Sequence, residues 1–235
     1  NNNALKDNNT IAKLYLDRCL NALHLKKFAK AVQYVFDAER YFERANNTDN
    51  FELSLLQYHA FLYAKRIDNA VEVIKQLNQE ELSPMWIYLK AVLAFLQMNY
   101  DEVIFLLSKR KPTFFDGTGL GCWPFILAQM AIITQAVKNE SSISVRRLNR
   151  LRGSSFMKST TPREMAASKI IGMLILHKFD FRKVRVEVQA YYHLMQSDKN
   201  EFAWSVFTPE LIPFDEWFFS FISNNNLYKQ INYNR

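Results

Sequence analysis

The sequence predicts an all-α protein, a right-handed solenoid of antiparallel helix pairs closed by aromatic-rich helices at the C-terminus. Three observations carry this expectation. The first is a recurring phrase: a short turn ends in an apolar or aromatic residue, and small or aliphatic residues follow three, seven and ten positions later. Its copies are Phe28/Ala31/Val35/Ala38, Ile67/Ala70/Ile74/Leu77 and Phe181/Val184/Val188/Tyr191, with a shorter Tyr100/Val103/Leu107 between the last two. Such spacings put each set on one helix face, because a helical residue turns about 100°. The second is the return of that face at intervals of 39, 33 and 81 residues, the mark of a stacked helical-repeat array. The third is composition. Only 5 Gly and 6 Pro among 235 residues leave little turn chemistry for a β fold, and a hydrophobic content of 49% argues against disorder.

The elements follow in order. Residues 1–10 are polar and Asn-rich and are expected to be poorly ordered. Helical periodicity begins near Ile11, with Leu16, Cys19, Leu20 and Leu23 on one face. A second helix runs from Phe28 to about Ala45, and the polar run Asn46–Asn50 ends the first pair. The second pair is Leu53–Tyr63 with Asp68–Leu77. Ser83-Pro84 then offers a capping Ser and a Pro tolerated at the first helical position. The third pair follows as Met85–Gln97 and Asp101–Ser108, with Trp86, Leu89 and Leu93 along its first helix.

Lys109–Pro124 is the clearest break, holding Pro112, three glycines and Pro124. A further helix is expected from there to Val137, and residues 139–160 form the least regular stretch. Thr161-Pro162-Arg163-Glu164 supplies a capping Thr, a Pro at the first helical position and a Glu where a capping box needs one. The last pair is Arg163–His177 and Asp180–Leu194, and helix starts after Pro209 and Pro213 close the chain. The organisation read from this pass is a polar lead at 1–10, repeats over 11–111, and a C-terminal part over 112–235, in one continuous solenoid.

These pairs resemble the tetratricopeptide repeat, a unit of two antiparallel helices over about 34 residues. In the last pair, Ile171-Gly172 falls where that family places Leu-Gly, Ile175 where it places an aromatic, and Val184, Val188 and Tyr191 at the Ala, Phe and second small positions. The third pair keeps Trp86 and Leu89, with Lys90 in place of Gly and a turn about one residue longer. The resemblance covers about two thirds of the chain. It implies a close helix crossing at Gly172, so Gly172→Leu is expected to cost about 1–3 kcal/mol by overpacking, measured as a drop in thermal midpoint.

The resemblance also implies a function: a scaffold or adaptor holding a peptide or helix of another protein on its concave face. In this family the first helix of each pair lines that face, which points to Arg18, Asn21, Gln57, Tyr88, Lys90 and Gln129. An alternative is the regulatory or oligomerising half of a larger, bacterial-type transcription regulator. The chain begins Asn1-Asn2-Asn3 without Met, as a fragment does.

Catalysis finds no support in the residues. Gly117-Thr118-Gly119-Leu120-Gly121 lacks the spacing and the Gly-Lys-Ser/Thr of a phosphate loop, and reads as an inter-helix loop. His24, His59, His177 and His193 show no metal-ligand spacing, and no Ser, Cys or Lys stands in a nucleophile motif. No enzyme, metal or cofactor is therefore expected. Cys19 and Cys122 sit among apolar neighbours and read as core residues of an intracellular protein, cytoplasmic or, in a eukaryote, nuclear. No signal-peptide pattern opens the chain, and no apolar run reaches the ~20 residues a membrane span needs.

Charge is unevenly placed. Lys138–Arg185 holds twelve Lys/Arg against Glu140, Glu164 and Asp180, a local +9 in a chain of net +7, which leaves −2 for the remainder. Within it, Arg146, Arg147, Arg150 and Arg152 alternate with Leu148 and Leu151. Two readings stay open: a surface for phosphates or an acidic protein, and a solvated basic face with the leucines turned inward. The C-terminal Phe202, Trp204, Phe207, Phe214, Trp217, Phe218, Phe219 and Phe221 likewise read either as a cap over the last repeat or as a docking and self-association patch.

Overall fold

A computed structural model describes residues 2–47, 51–76, 84–108, 130, 132–134, 138, 141–152, 161–178, 180–197, 203–206, 213–216 and 218. Among the described residues the regular structure is entirely helical, with no strand. The chain divides into two compact units, Asn1–Leu82 and Ser83–Arg235. The break expected over Lys109–Pro124 lies outside the described residues.

The first unit contains α1 (Asn2–His24), α2 (Phe28–Arg44), α3 (Phe51–Tyr63) and α4 (Ile67–Gln76). Each helix packs on the next, and α1 also reaches α3. Helix α1 begins at Asn2, within the polar lead. Once Ala12, Leu16, Cys19 and Leu23 are fixed in the core, extending the helix backwards fixes one residue per added hydrogen bond and needs no new nucleus. Asn47 Nδ2 also donates to Asn9 Oδ1 at 3.2 Å, tying the early turns of α1 to the end of α2. Leu20, expected on the inner face, is exposed at its edge.

In the first unit the described small and aliphatic residues of the recurring phrase are buried. Ala31, Val35 and Ala38 of α2 are fully buried, and Phe28 lays its ring 5.6 Å from that of Tyr63. In α4, Ile67, Ala70 and Ile74 are buried, while Leu77 lies outside the described residues. The helix between them, α3, is buried on every side from Leu56 to Tyr63.

The second unit opens with α5 (Pro84–Leu96) and α6 (Tyr100–Ser108), which pack together. Pro84 is the first helical residue, as expected, and from Trp86 to Leu96 only Lys90 escapes full burial. Asn99 Oδ1 caps α6 by accepting from Glu102 N at 3.3 Å. Met130, Ile132, Ile133 and Thr134 are helical and buried, which agrees with a helix before Val137.

The stretch 139–160, expected to be irregular, contains a helix, α7 (Ser141–Arg152). Leu and Arg are good helix formers, its arginines sit towards the C-terminal end where the helix dipole favours cations, and Ser144 and Leu148 bury one turn apart. Then comes α8 (Pro162–Leu176), followed by α9 (Phe181–Glu187) and α10 (Gln189–Met195). All three of α7, α9 and α10 pack on α8. The capping box forms as read: Glu164 N donates to Thr161 Oγ1 at 3.2 Å, and Thr161 N to Glu164 Oε2 at 2.7 Å. Ile171 and Ile175 are buried around a half-buried Gly172.

The last helix of that pair is interrupted at Val188, where φ is −102° and ψ is 6°. The hydrogen-bond ladder passes through, with Val188 N to Val184 O at 3.0 Å and Tyr192 N to Val188 O at 2.9 Å. Beyond Val188 the inward positions are Tyr192 and Met195, so Tyr191, expected inward, is exposed. Against this face lie Phe214 and Phe218, both buried, with Phe218 6.0 Å from the Tyr192 ring. Burial and the Asp215 carboxylate push the Tyr192 hydroxyl above the ordinary phenol range, with Arg185 opposing them. A buried ion pair fastens the segment: Arg163 Nη1 donates to Met195 O at 2.6 Å, and Nη2 donates to Asp215 Oδ1. Phe202, Phe207, Trp217, Phe219 and Phe221 lie outside the described residues.

One turn joins the helices within each pair. Three residues separate α1 from α2, α3 from α4 and α5 from α6, and their middle residues, Lys26, Lys65 and Met98, have φ of 55°, 61° and 58°. At each, the next amide reaches back five residues: Lys27 N to Ala22 O, Arg66 N to Phe61 O and Asn99 N to Ala94 O, all at 2.8 Å. That is the Schellman closure, which satisfies carbonyls orphaned at a helix end. The pair α8/α9 uses the same left-handed residue, Lys178 at φ 50°, with one residue more in the turn. The extra residue thus belongs to the last pair, not to the third as expected.

Candidate functional site

The six side chains expected on a partner-binding face fall into three groups. Arg18 and Asn21 are exposed, one turn apart on α1. Gln57 and Tyr88 are corrections, because both are buried. Gln57 Nε2 donates to Glu39 Oε1 at 3.1 Å, binding α3 to α2, and Tyr88 has no exposed surface to offer a partner. The cause is the same for both: α3 and α5 are enclosed helices, so even their polar positions turn inward. Lys90 is half-buried and held 3.2 Å from Glu102 Oε1 of α6. Gln129 lies outside the described residues.

Around Arg18 the structure assembles a surface that the sequence reading missed. Tyr15, three residues before Arg18, stacks on Tyr41 of α2 with centroids 5.6 Å apart and planes 17° apart. Tyr34, two turns before Tyr41 on the same face of α2, lies 6.3 Å from Tyr15. The guanidinium of Arg18 sits 5.5 Å from the Tyr15 centroid, and that of Arg44 sits 5.2 Å from the Tyr41 centroid. Arg18, Tyr15, Tyr41 and Arg44 therefore form a ladder along the α1/α2 seam, its tyrosines half-exposed. Each exposed cation–π contact contributes about 0.5–1 kcal/mol, which biases these long side chains towards the rings without fixing them. Tyr and Arg are residue types on which interface energies concentrate. The available signal was the spacing of seven from Tyr34 to Tyr41 beside three from Tyr15 to Arg18.

On α7, Arg146 and Arg147 are exposed and Leu148 is buried. The side chains of Arg150, Leu151 and Arg152 lie outside those described. The histidines do not converge. His59 is buried in α3, stacked on Tyr63 at 5.6 Å and edge-on to Tyr58 at 5.5 Å, and burial lowers its pKa to about 3. His177 Nε2 lies 3.0 Å from Glu187 Oε1 at the α8/α9 turn, and His193 Nε2 lies 3.3 Å from Gln189 Nε2. No cluster of three metal-ligating side chains occurs among the described residues. Burial pushes the Cys19 thiol up to about 12, which leaves it a core residue rather than a nucleophile. No helix among the described residues is long and apolar enough to cross a membrane. No protein-family model, curated protein or solved structure matches the chain.

Proposed function

We propose that this chain is an interaction scaffold or adaptor, a right-handed solenoid of tetratricopeptide-like helix pairs that holds a peptide or helix of another protein. The observation that carries this reading is the pairing of α1/α2, α3/α4 and α5/α6 through three-residue turns with one closure, at Lys26, Lys65 and Met98. Helix pairs of one kind, when stacked, present an extended surface to a macromolecular partner. The packing of α1 on α3 as well as on α2 supports stacking of first helices within the first unit. Within that unit, Arg18 and Asn21 beside the Tyr15/Tyr41/Arg44 ladder form the contact surface we assign.

The test is a photo-crosslinking amino acid placed at Asn21 in the full chain, expressed in its own host. The expected result is one dominant crosslinked polypeptide that disappears when Arg18→Glu and Tyr15→Ala are added. A position at Ser142 on α7 serves as the comparison. Crosslinking that is absent, or unchanged by the two substitutions, rejects this surface.

A further inference from the structure

Helix α8, in the second unit, carries an outward stripe of unusual chemistry. From Arg163 to Ile175 every residue is buried except Met165, Lys169 and the half-buried Gly172 and Met173, and Leu176 follows, exposed. These five fall within about 100° of the helix circumference, in one stripe about 16 Å long. The solvent side of a helix is ordinarily charged or polar. This one holds a single polar side chain, Lys169, while Met165 is 42% and Leu176 70% exposed. Helices α3 and α5 are also apolar on nearly every side, and both are enclosed. The same kind of helix in α8 is left open along this stripe.

Charge decides what covers it. Residues 162–195 carry six Lys/Arg against Glu164, Asp180 and Glu187. All three carboxylates are engaged within the unit: Glu164 with Thr161 N, Asp180 with Lys183, and Glu187 with His177. Among the described residues no carboxylate pairs with Lys169 in the stripe or with Lys178 just beyond it. A second copy of the chain would set Lys169 against its own like charge, which opposes association. A nucleic-acid backbone gains nothing from Met and Leu side chains. A membrane-bound helix sinks a broad apolar face about 5–10 Å into the headgroup boundary, and α8 is enclosed by its own unit on every other side. An amphipathic helix answers both features. Its apolar ridge covers Met165, Met173 and Leu176, whose flexible thioethers adapt to it, and its flanking carboxylates meet the lysines. We propose that the outward stripe of α8 docks an acidic amphipathic helix of another protein, engaged over about three turns.

The test is a yeast-displayed library of peptides about 18 residues long, randomised over Leu, Ala, Glu, Lys, Gln and Ser and selected on the full chain at about 150 mM salt. Enriched peptides are expected to repeat Leu every three or four residues and to hold more Glu than Lys. The best of them, labelled for fluorescence anisotropy, should bind with a micromolar Kd. Leu176→Glu and Lys169→Glu should each weaken it about tenfold or more, and a peptide with its Glu changed to Lys should bind Lys169→Glu better than wild type. Both positions are exposed, and circular dichroism checks that each variant folds. The first-unit variant Arg18→Glu with Tyr15→Ala should bind like wild type, so a failure here leaves the Asn21 crosslink as a separate result. The proposal is overturned by a library without enrichment, by an excess of Lys over Glu, by binding that neither substitution weakens, or by loss in the first-unit variant. It is equally overturned if Leu176→Glu instead abolishes a dimer seen by ultracentrifugation or binding to anionic phospholipid vesicles.

Discussion

Replacing Arg163 by Met should destabilise the second unit by about 3–5 kcal/mol, measured as a fall in the urea midpoint. The guanidinium is 5% exposed and binds two elements at once, the end of α10 through Met195 O and the 213–218 segment through Asp215. Removing it leaves a carboxylate only 14% exposed without its cation and a carbonyl without its donor. The cost is therefore mostly that of the abandoned partners, not of the pair itself. Arg163→Met with Asp215→Leu should recover most of the loss, since burying apolar groups in place of an ion pair is often neutral. The exposed pair Arg40/Asp37, at 3.6 Å, gives the contrast: Arg40→Met should cost less than about 1 kcal/mol. A cost near that value at Arg163 would mean that solvent reaches the site.

The second large effect is a pH dependence set by His59. Its folded pKa is lowered to about 3 by burial, against an ordinary 6.5 in the unfolded chain. Above 6.5 neither state is protonated and the stability is fully present. As pH falls below 6.5 the unfolded state takes up a proton that the folded state refuses, so stability is lost progressively down to the folded value. From pH 7 to pH 5 that loss is about 2 kcal/mol. His59→Phe keeps a ring against Tyr63 and cannot be protonated, so its loss over the same range should be smaller by that amount. Urea titrations of both proteins at the two pH values measure the difference, and carboxylate effects cancel between them. Equal losses would mean that folded His59 accepts a proton.

What the sequence could and could not announce follows from the range of each interaction. The capping box at Thr161–Glu164 spans four residues and uses the residue types its geometry requires, so it was legible in full. The faces of α2 and α4 were legible because each has one buried side and a period of 3.6. Gln57 and Tyr88 were expected outside because the resemblance puts first-helix residues on the concave face; they lie inside because α3 and α5 are enclosed there on every side, which no periodicity marks. Of the five left-handed residues, three Lys and one Met gave no signal where Gly or Asn is the usual sign; only Asn46, at φ 53° after α2, carries it. The Arg163–Asp215 pair joins residues 52 apart, and the Tyr15/Tyr41 stack joins two helices. Neither is expressed in any local pattern.

The account rests on a left-handed residue closing the first helix of each pair, and glycine tests that directly. A side chain in the left-handed region strains the backbone by about 1–2 kcal/mol, and Gly relieves this while losing some entropy of its own. Lys26→Gly, Lys65→Gly, Met98→Gly and Lys178→Gly should therefore each stabilise the protein, by roughly 0.5–1 kcal/mol after both terms. Gln33→Gly, at an exposed position inside α2, should instead cost about 1 kcal/mol. Thermal midpoints of the five variants are the measurement. The account predicts a rise of similar size at all four turns and a fall at Gln33; a fall at any of the turns would contradict it.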